Sequence, residues 1–377
     1  MSFIPFNRPT LMGQELRYMA EAVARGHISG DGGFTKRCHE LLERELGAPA
    51  VLLTTSGTHA LELAALLLDL EPGDEVLIPD FTFVSTANAF ALRGARPVFV
   101  DVRPDTLNID ERLIEERVGP RTRAVVPVHY SGIGCDMEAI GAIAARRGLA
   151  LVEDNAHGLF ARRSGRLLGT WGALAALSFH ETKNFTCGEG GALVVNDPAL
   201  VARAEVMREK GTDRKRFFRG EVDRYSWVDL GSSYLPSDLL AAFLLAQLEE
   251  RSAVLAARRA VHERYAAGLA DWAALQGVCL PTVPAVCEPS YHMFYLLMPD
   301  PAARAALIGH LEARDILAVF HYVPLHLSAM GRRWGGRVGD CPVTESVSDR
   351  LVRLPFYTSL SEADQRRVIE AVLSAPI

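Results

Sequence analysis

The chain has 377 residues, about half of them apolar, with 40 Lys and Arg against 46 Asp and Glu. That length supports an extensive core and more than one domain, and a net charge of −6 with both signs interspersed speaks against nucleic acid as the main partner. The six cysteines show no CxxC pair and no metal-like spacing, no basic-then-apolar leader opens the chain, and no apolar run reaches a membrane span, so the expectation is a metal-free, reduced, soluble cytoplasmic protein.

In chain order, strands are predicted at 50–55, 75–79, 97–102, 123–130, 149–155, 173–180 and 191–197. Helices are predicted between them at 58–69, 84–93, 110–117, 136–147 and 198–210. Strands alternating with amphipathic helices predict an α/β fold with a mainly parallel seven-stranded sheet, whose ligands bind beyond the carboxyl ends of the strands. That rule sets "TTSGTHA", "DFTFVST", "HYSGIG", "EDNAHG" and "SFHETK" along one edge. A long helix is predicted at 237–266, and the pattern then changes, giving a large domain at 21–254 and a smaller α+β domain from 1–20 and 255–377.

Three of those strand ends carry chemistry. Only four lysines (Lys36, Lys183, Lys210, Lys215) stand beside thirty-six arginines, and Lys183 follows an apolar strand directly. Arginine stays protonated, whereas a lysine amine can become neutral and bond covalently to a carbonyl. Asp154 ends another apolar strand, with Glu153 pointing to the opposite face. Ser56, Gly57 and Thr58 turn from a strand into a helix, where free amides suit a phosphate, although Ser and Thr also cap ordinary helices. Jointly these supply what pyridoxal 5'-phosphate (PLP) requires: a lysine for the aldehyde, a carboxylate for the ring nitrogen and a cradle for the phosphate. Phe83 is placed to cover the ring and His157 to touch its substituents. The rival reading, an NAD-dependent dehydrogenase, requires GxGxxG after a strand, and "GIGCDM" (132–137) lacks the third glycine. A non-enzymatic binding protein would need neither Lys183 nor Asp154 at a strand end.

The motifs "GDGGFTKRC", "LLTTSGTHALELAALLL", "GDEVLIPDFTFVSTANAF", "VPVHYSG", "VEDNAH", "SFHETKN", "GEGGALVVND" and "FHYVPLH" resemble, nearly end to end, the DegT/StrS family of sugar-nucleotide aminotransferases, fold-type I PLP enzymes. "DVRPDTLNID" and "FFRGEVDRYSWVDLGSSYL" are most similar to its TDP-4-keto-6-deoxyglucose 4-aminotransferases. The resemblance implies that Lys183 links to the cofactor and moves the proton, that Asp154 holds the pyridinium, and that Phe83 stacks on the ring beside His157. It also implies that Gly57, Thr58 and Ser178 meet the phosphate. Relatives with histidine in place of the lysine deoxygenate instead, so Lys183 favours transamination, with L-glutamate as donor and a TDP-4-amino-4,6-dideoxyhexose, galacto or gluco, as product. A homodimer with shared sites is implied as well. Many relatives donate an asparagine across the subunits where this chain has Leu235; Ser232 or Ser233 are the candidates to replace it. Lys210, Lys215 and Arg219 are expected to attract the substrate diphosphate, and "FHYVPLH" to bring His321, Tyr322 and His326 toward the cleft.

Overall fold

The computed structural model describes residues 3–377. Its strands are β1 (Ala50–Thr54), β2 (Glu75–Pro79), β3 (Arg96–Val100), β4 (Thr122–Val125), β5 (Ala150–Asp154), the short β6 (Arg162–Arg163) and β7 (Arg166–Leu167), β8 (Leu174–Ser178), β9 (Gly191–Val195), β10 (Cys287–Glu288), β11 (Tyr295–Leu297) and β12 (Leu351–Arg353). The main sheet has seven strands in the order β1-β9-β8-β5-β4-β2-β3. Pairs from β3 to β8 are parallel, while β9 runs antiparallel to both β8 and β1. Six carboxyl ends therefore share one edge, joined there by the amino end of β9.

The strands are apolar on both faces, as a sheet covered by helices on both sides demands. Leu52, Val76, Ile78, Val152, Leu174 and Leu193 pack on one face; Val51, Leu53, Ala175, Leu177 and Val194 pack on the other. The covering helices are α1 (Glu15–Ala24), α2 (Gly33–Leu46), α3 (Gly57–Leu67), α4 (Val84–Ala91), α5 (Glu111–Ile114), α6 (Met137–Arg147), α7 (Val201–Arg208) and α9 (Asp238–Glu249), while α8 (Arg214–Phe218) buries none of its residues. The single helix expected at 237–266 is instead α9 followed by α10 (Arg251–Gln276), parted at Glu250, where φ −93° and ψ 19° leave helical geometry. No proline or glycine marks this bend in the sequence. Packing sets it: α9 lies against α1 and α2, whereas α10 turns away to lend Val261, Tyr265, Leu269 and Trp272 to a separate core.

That second core includes β11, β12 and the helix Glu362–Leu373, and it also takes in Ile4. The following helix, α1, instead sets Tyr18 and Ala22 in the core beneath the sheet. His326 ties the C-terminal part to the sheet edge. Its Nδ1 lies 2.6 Å from Asp80 Oδ2, its backbone N–H donates to Asp80 Oδ1 at 2.7 Å, and its Nε2 lies 3.1 Å from Glu345 Oε1.

One glycine shows how tightly the edge is built. A Cβ on Gly191 would sit 2.3 Å from the carbonyl carbon and oxygen of Ser56 and 2.4 Å from the nitrogen of Gly57. β9 can close on the start of α3 only without a side chain there. Gly191→Ala should therefore lower stability by about 1–3 kcal/mol, read as a lower urea midpoint. Gly141→Ala, in α6 with nothing within 4 Å of the new Cβ, should leave that midpoint unchanged or raise it slightly.

Candidate active site

The strand edge and the C-terminal part enclose a cavity of about 850 Å³. Its lining includes Ser56, Gly57, Thr58, Phe83, Asp154, His157, Ser178, Lys183, His321 and Tyr322, so ten of the residues singled out in the sequence converge on one space.

Lys183 lies in the turn between β8 and β9, and the turn is pinned from several directions. Asn184 Nδ2 donates to Ser290 O at 2.7 Å and Asn184 Oδ1 meets His292 Nδ1 at 2.9 Å, while Asn7 Nδ2 donates to Glu181 O at 3.1 Å. The Lys183 amine has no hydrogen-bond or ion-pair partner among the described residues. Burial brings its pKa down to about 8; Asp154 opposes that shift and the charge of Arg353 adds to it. A substantial fraction is therefore neutral and nucleophilic near physiological pH.

Asp154 closes β5 and is buried. Its Oδ2 accepts from Thr86 Oγ1 at 2.7 Å and its Oδ1 from the N–H of Ala156 at 3.2 Å, with Thr82 Oγ1 2.9 Å behind Thr86. The strand alternation sends Glu153 the other way, where it takes the N–H groups of Gly169, Trp171 and Gly172 and pairs with His129. Adjacent carboxylates thus do different work: Glu153 anchors a loop and Asp154 faces the cavity.

At the start of α3 the Ser56 hydroxyl accepts from His59 N at 3.0 Å and so is used as the helix cap. That leaves the N–H groups of Gly57 and Thr58 as the unmet donors of the first turn. A Cβ on Gly57 would fall 2.9 Å from Ser178 Cβ, so the glycine lets these donors and the Ser178 hydroxyl crowd together. Thr58 Oγ1 lies 2.7 Å from Ser85 Oγ.

His157 is buried with its ring stacked on His292 at 4.1 Å, and its Nδ1 is a buried atom without a partner. Burial holds His157, His292 and His321 neutral. The Tyr130 hydroxyl meets His321 Nδ1 at 2.8 Å. Phe83, 57% exposed, stands at the mouth with its ring 6.3 Å from that of Tyr322.

An unpartnered amine, a carboxylate held by Thr86, unmet helix donors beside a serine hydroxyl, and an orphaned imidazole nitrogen together fit an aromatic cofactor that carries an aldehyde and a phosphate. Sequence reasoning missed Thr86, Asn184, His292 and Arg353. Arg353 had no signal, because arginine is this chain's default cation.

Other expected residues lie elsewhere. His326, expected near the cleft, is buried in its ties to Asp80 and Glu345, since both ring nitrogens are engaged there. Cys341 completes with Asp80 and His326 a group of potential metal ligands, but these hydrogen bonds already account for the imidazole. Lys210, Lys215 and Arg219 do not line this chain's cavity. Lys210 pairs with Glu209, Lys215 with Glu205 at 3.2 Å, and Arg219 with Glu205 at 2.9 Å and Glu221 at 2.6 Å. Leu235 lies against Gly30, with Ser232 and Ser233 hydrogen-bonded or bridged to Lys210 and Glu209.

No helix of the described residues is long and apolar enough to cross a membrane. Residues 9–373 match the model of the DegT/DnrJ/EryC1/StrS aminotransferase family. An uncharacterized protein of Methanocaldococcus jannaschii is 30% identical over 378 residues, covering 98% of this chain and 97% of its own length. Among solved structures, the aminotransferase TlmJ from Streptoalloteichus hindustanus is similar with a TM-score of 0.91 and 34% identity over 99% of this chain and 98% of its own. Spr1654 from Streptococcus pneumoniae, solved in PLP and PMP forms, is 25% identical; its PLP form has a TM-score of 0.91 over 99% of this chain and 98% of its own. The chain therefore belongs to the DegT/DnrJ/EryC1/StrS aminotransferase family, whose members are PLP-dependent transaminases and include sugar aminotransferases.

Proposed function

We propose that the enzyme aminates TDP-4-keto-6-deoxy-D-glucose at C4 with L-glutamate as donor, in the cytoplasm, as a step in making a 4-amino-4,6-dideoxyhexose. The observation that carries this reading is the set of neutral side chains that line the cavity with Lys183. His157, His292 and His321 are all held neutral by burial, and Tyr322 keeps its proton for the same reason. Neutral donors and acceptors suit the hydroxyls of a hexose. The motifs shared with the 4-aminotransferase subgroup narrow the sugar.

Bound here, PLP supplies an electron sink that lets the donor's α-proton leave. The chain supplies the rest. Lys183 takes that proton and later delivers one to sugar C4. Asp154, fixed by Thr86 and Ala156, would hold the ring nitrogen; Gly57, Thr58 and Ser178 would hold the phosphate, and Phe83 and His157 would hold the ring. His321 and Tyr322 face the hexose. The division into 21–254 and 1–20 with 255–377 belongs to the same proposal, with the cavity between the two parts and α1 packed on the larger one.

The same reading includes a homodimer with shared sites. Phe218 (70% exposed), Tyr225, Trp227 (77%), Val228 and Leu230 form a run of exposed apolar side chains beside Lys215 and Arg219, which supports burial against a second copy. The two cations would then serve the partner's cleft, with Lys210 beside them.

Three outcomes are expected. Because an amine reacts only when neutral, capture of PLP by the cofactor-free protein, followed by visible absorbance, should speed up with pH to about 8 and then level off; a rise continuing to pH 10 contradicts the depressed Lys183. Incubation with TDP-4-keto-6-deoxyglucose and glutamate should give an aminated hexose by proton NMR. Large H3–H4 and H4–H5 couplings would mark the gluco product and small ones the galacto product, while no amination of this ketone removes the substrate assignment. Mixing inactive Lys183→Ala protein with a Lys215→Ser/Arg219→Ser variant of weakened sugar binding should restore activity through mixed dimers; no recovery contradicts the shared site.

A further inference from the structure

Two imidazoles of the cavity are fixed from behind by residues that do not line it. His292 and His321 belong to the lining, whereas Tyr130 and Asn184, which bond to their rings, do not. Burial holds both imidazoles neutral. Each ring therefore carries one hydrogen, and its position decides whether the other nitrogen donates or accepts.

The surrounding hydrogen bonds determine that position. Tyr130 is 1% exposed, and its hydroxyl has no hydrogen-bond partner among the described residues except His321 Nδ1, at 2.8 Å. Burial pushes the phenol well above its ordinary pKa, and a buried O–H with one neighbour has to donate to it. His321 Nδ1 therefore accepts, and the ring hydrogen sits on Nε2. Asn184 fixes His292 in the opposite sense. Ser290 O, 2.7 Å from Asn184 Nδ2, can only accept, so the amide nitrogen faces it and the amide oxygen faces His292 Nδ1 at 2.9 Å. That oxygen cannot donate, so His292 Nδ1 carries the hydrogen and Nε2 is bare.

Neither Nε2 has a hydrogen-bond partner among the described residues, and neither is sealed off; the one sealed imidazole nitrogen without a partner there is His157 Nδ1. Both Nε2 atoms thus open on the cavity that their rings line. The rings are held in place as well. His292 stacks on His157 at 4.1 Å and its carbonyl accepts from Arg258 Nη2 at 2.6 Å, while His321 packs on Tyr322 with ring centres 3.5 Å apart.

We propose that Tyr130 and Asn184 are positioning residues that lock His321 and His292 as opposite neutral tautomers, giving the cavity one fixed N–H donor and one fixed acceptor with which to read the hydroxyls of the acceptor sugar. A free imidazole adapts to either kind of partner. This pair leaves a nitrogen unpaired whenever a substrate lacks the matching group, and an unmet buried polar group costs affinity. Hydroxyls suit the pair because each can both donate and accept. The inference rests on the reading that the acceptor is a sugar.

Solid-state NMR of holoenzyme with isotopically labelled histidine nitrogens reads the tautomers directly, with His292→Asn and His321→Asn assigning the two rings. His321 should be protonated at Nε2 only and His292 at Nδ1 only. Protonation of His321 at Nδ1, or the same tautomer in both rings, overturns the inference. Tyr130→Phe removes the donor behind His321 and should return that ring to a mixture of tautomers. It should raise the KM for TDP-4-keto-6-deoxyglucose about 5- to 10-fold and leave the bound cofactor's reaction with glutamate, followed by absorbance, within about twofold of the wild type. An unchanged KM overturns the role in specificity, and so does an equal slowing with glutamate, which marks a deformed cavity. If the wild type aminates a different keto-sugar, that ketone is used with the same thresholds. If it aminates none, the substrate reading fails and the sugar-reading role with it, while the ring spectrum still decides the tautomers.

Discussion

Everything in this site depends on two groups of opposite charge facing one cavity without touching each other. Asp154 is held by Thr86 and Ala156, and Lys183 is half-buried with no partner of its own among the described residues. Had they paired, the lysine would be a spent ammonium. Kept apart by hydrogen bonds to other groups, the amine drops to about 8 and the carboxylate remains available to a ring nitrogen. The preorganisation is stored in the backbone: the β8–β9 turn is stapled by Asn184 and Asn7, and β5 delivers Asp154 by simple alternation against Glu153.

The rest of the fold holds that separation. β9, the one reversed strand of the main sheet, brings Gly191 against Ser56 and Gly57, so the turn that opens α3 and the turn that carries Lys183 are built from neighbouring strands. The C-terminal part closes the cavity with neutral imidazoles and phenols and is latched to the sheet edge by His326 on Asp80. Neutral imidazoles, a guanidinium and an amine without a partner line one space.

Much of this was legible in the sequence, for identifiable physical reasons. The seven strands stood out because double-sided burial leaves short runs rich in branched and other apolar residues, and all seven occupy the main sheet. Lys183 was conspicuous through rarity and Asp154 through its place at a strand end, and both line the cavity. The bend at Glu250 was invisible because α9 and α10 have continuous helical composition. Arg353 was hidden among thirty-six arginines, and its place in the cavity lining, a tertiary fact, is what sets it apart. His326 misled because "FHYVPLH" records that three polar rings are near one another and not which way each points. Lys215 and Arg219 looked like a free basic cluster, yet Glu205, close to them in sequence, already pairs with both.

The most direct test of the central claim is chemical. Reduction of the purified holoenzyme with borohydride, followed by peptide mass mapping, should fix one pyridoxyl group per chain on the peptide that contains Lys183. A pyridoxyl group on Lys36, Lys210 or Lys215, or none on the chain when PLP is bound, would contradict the account.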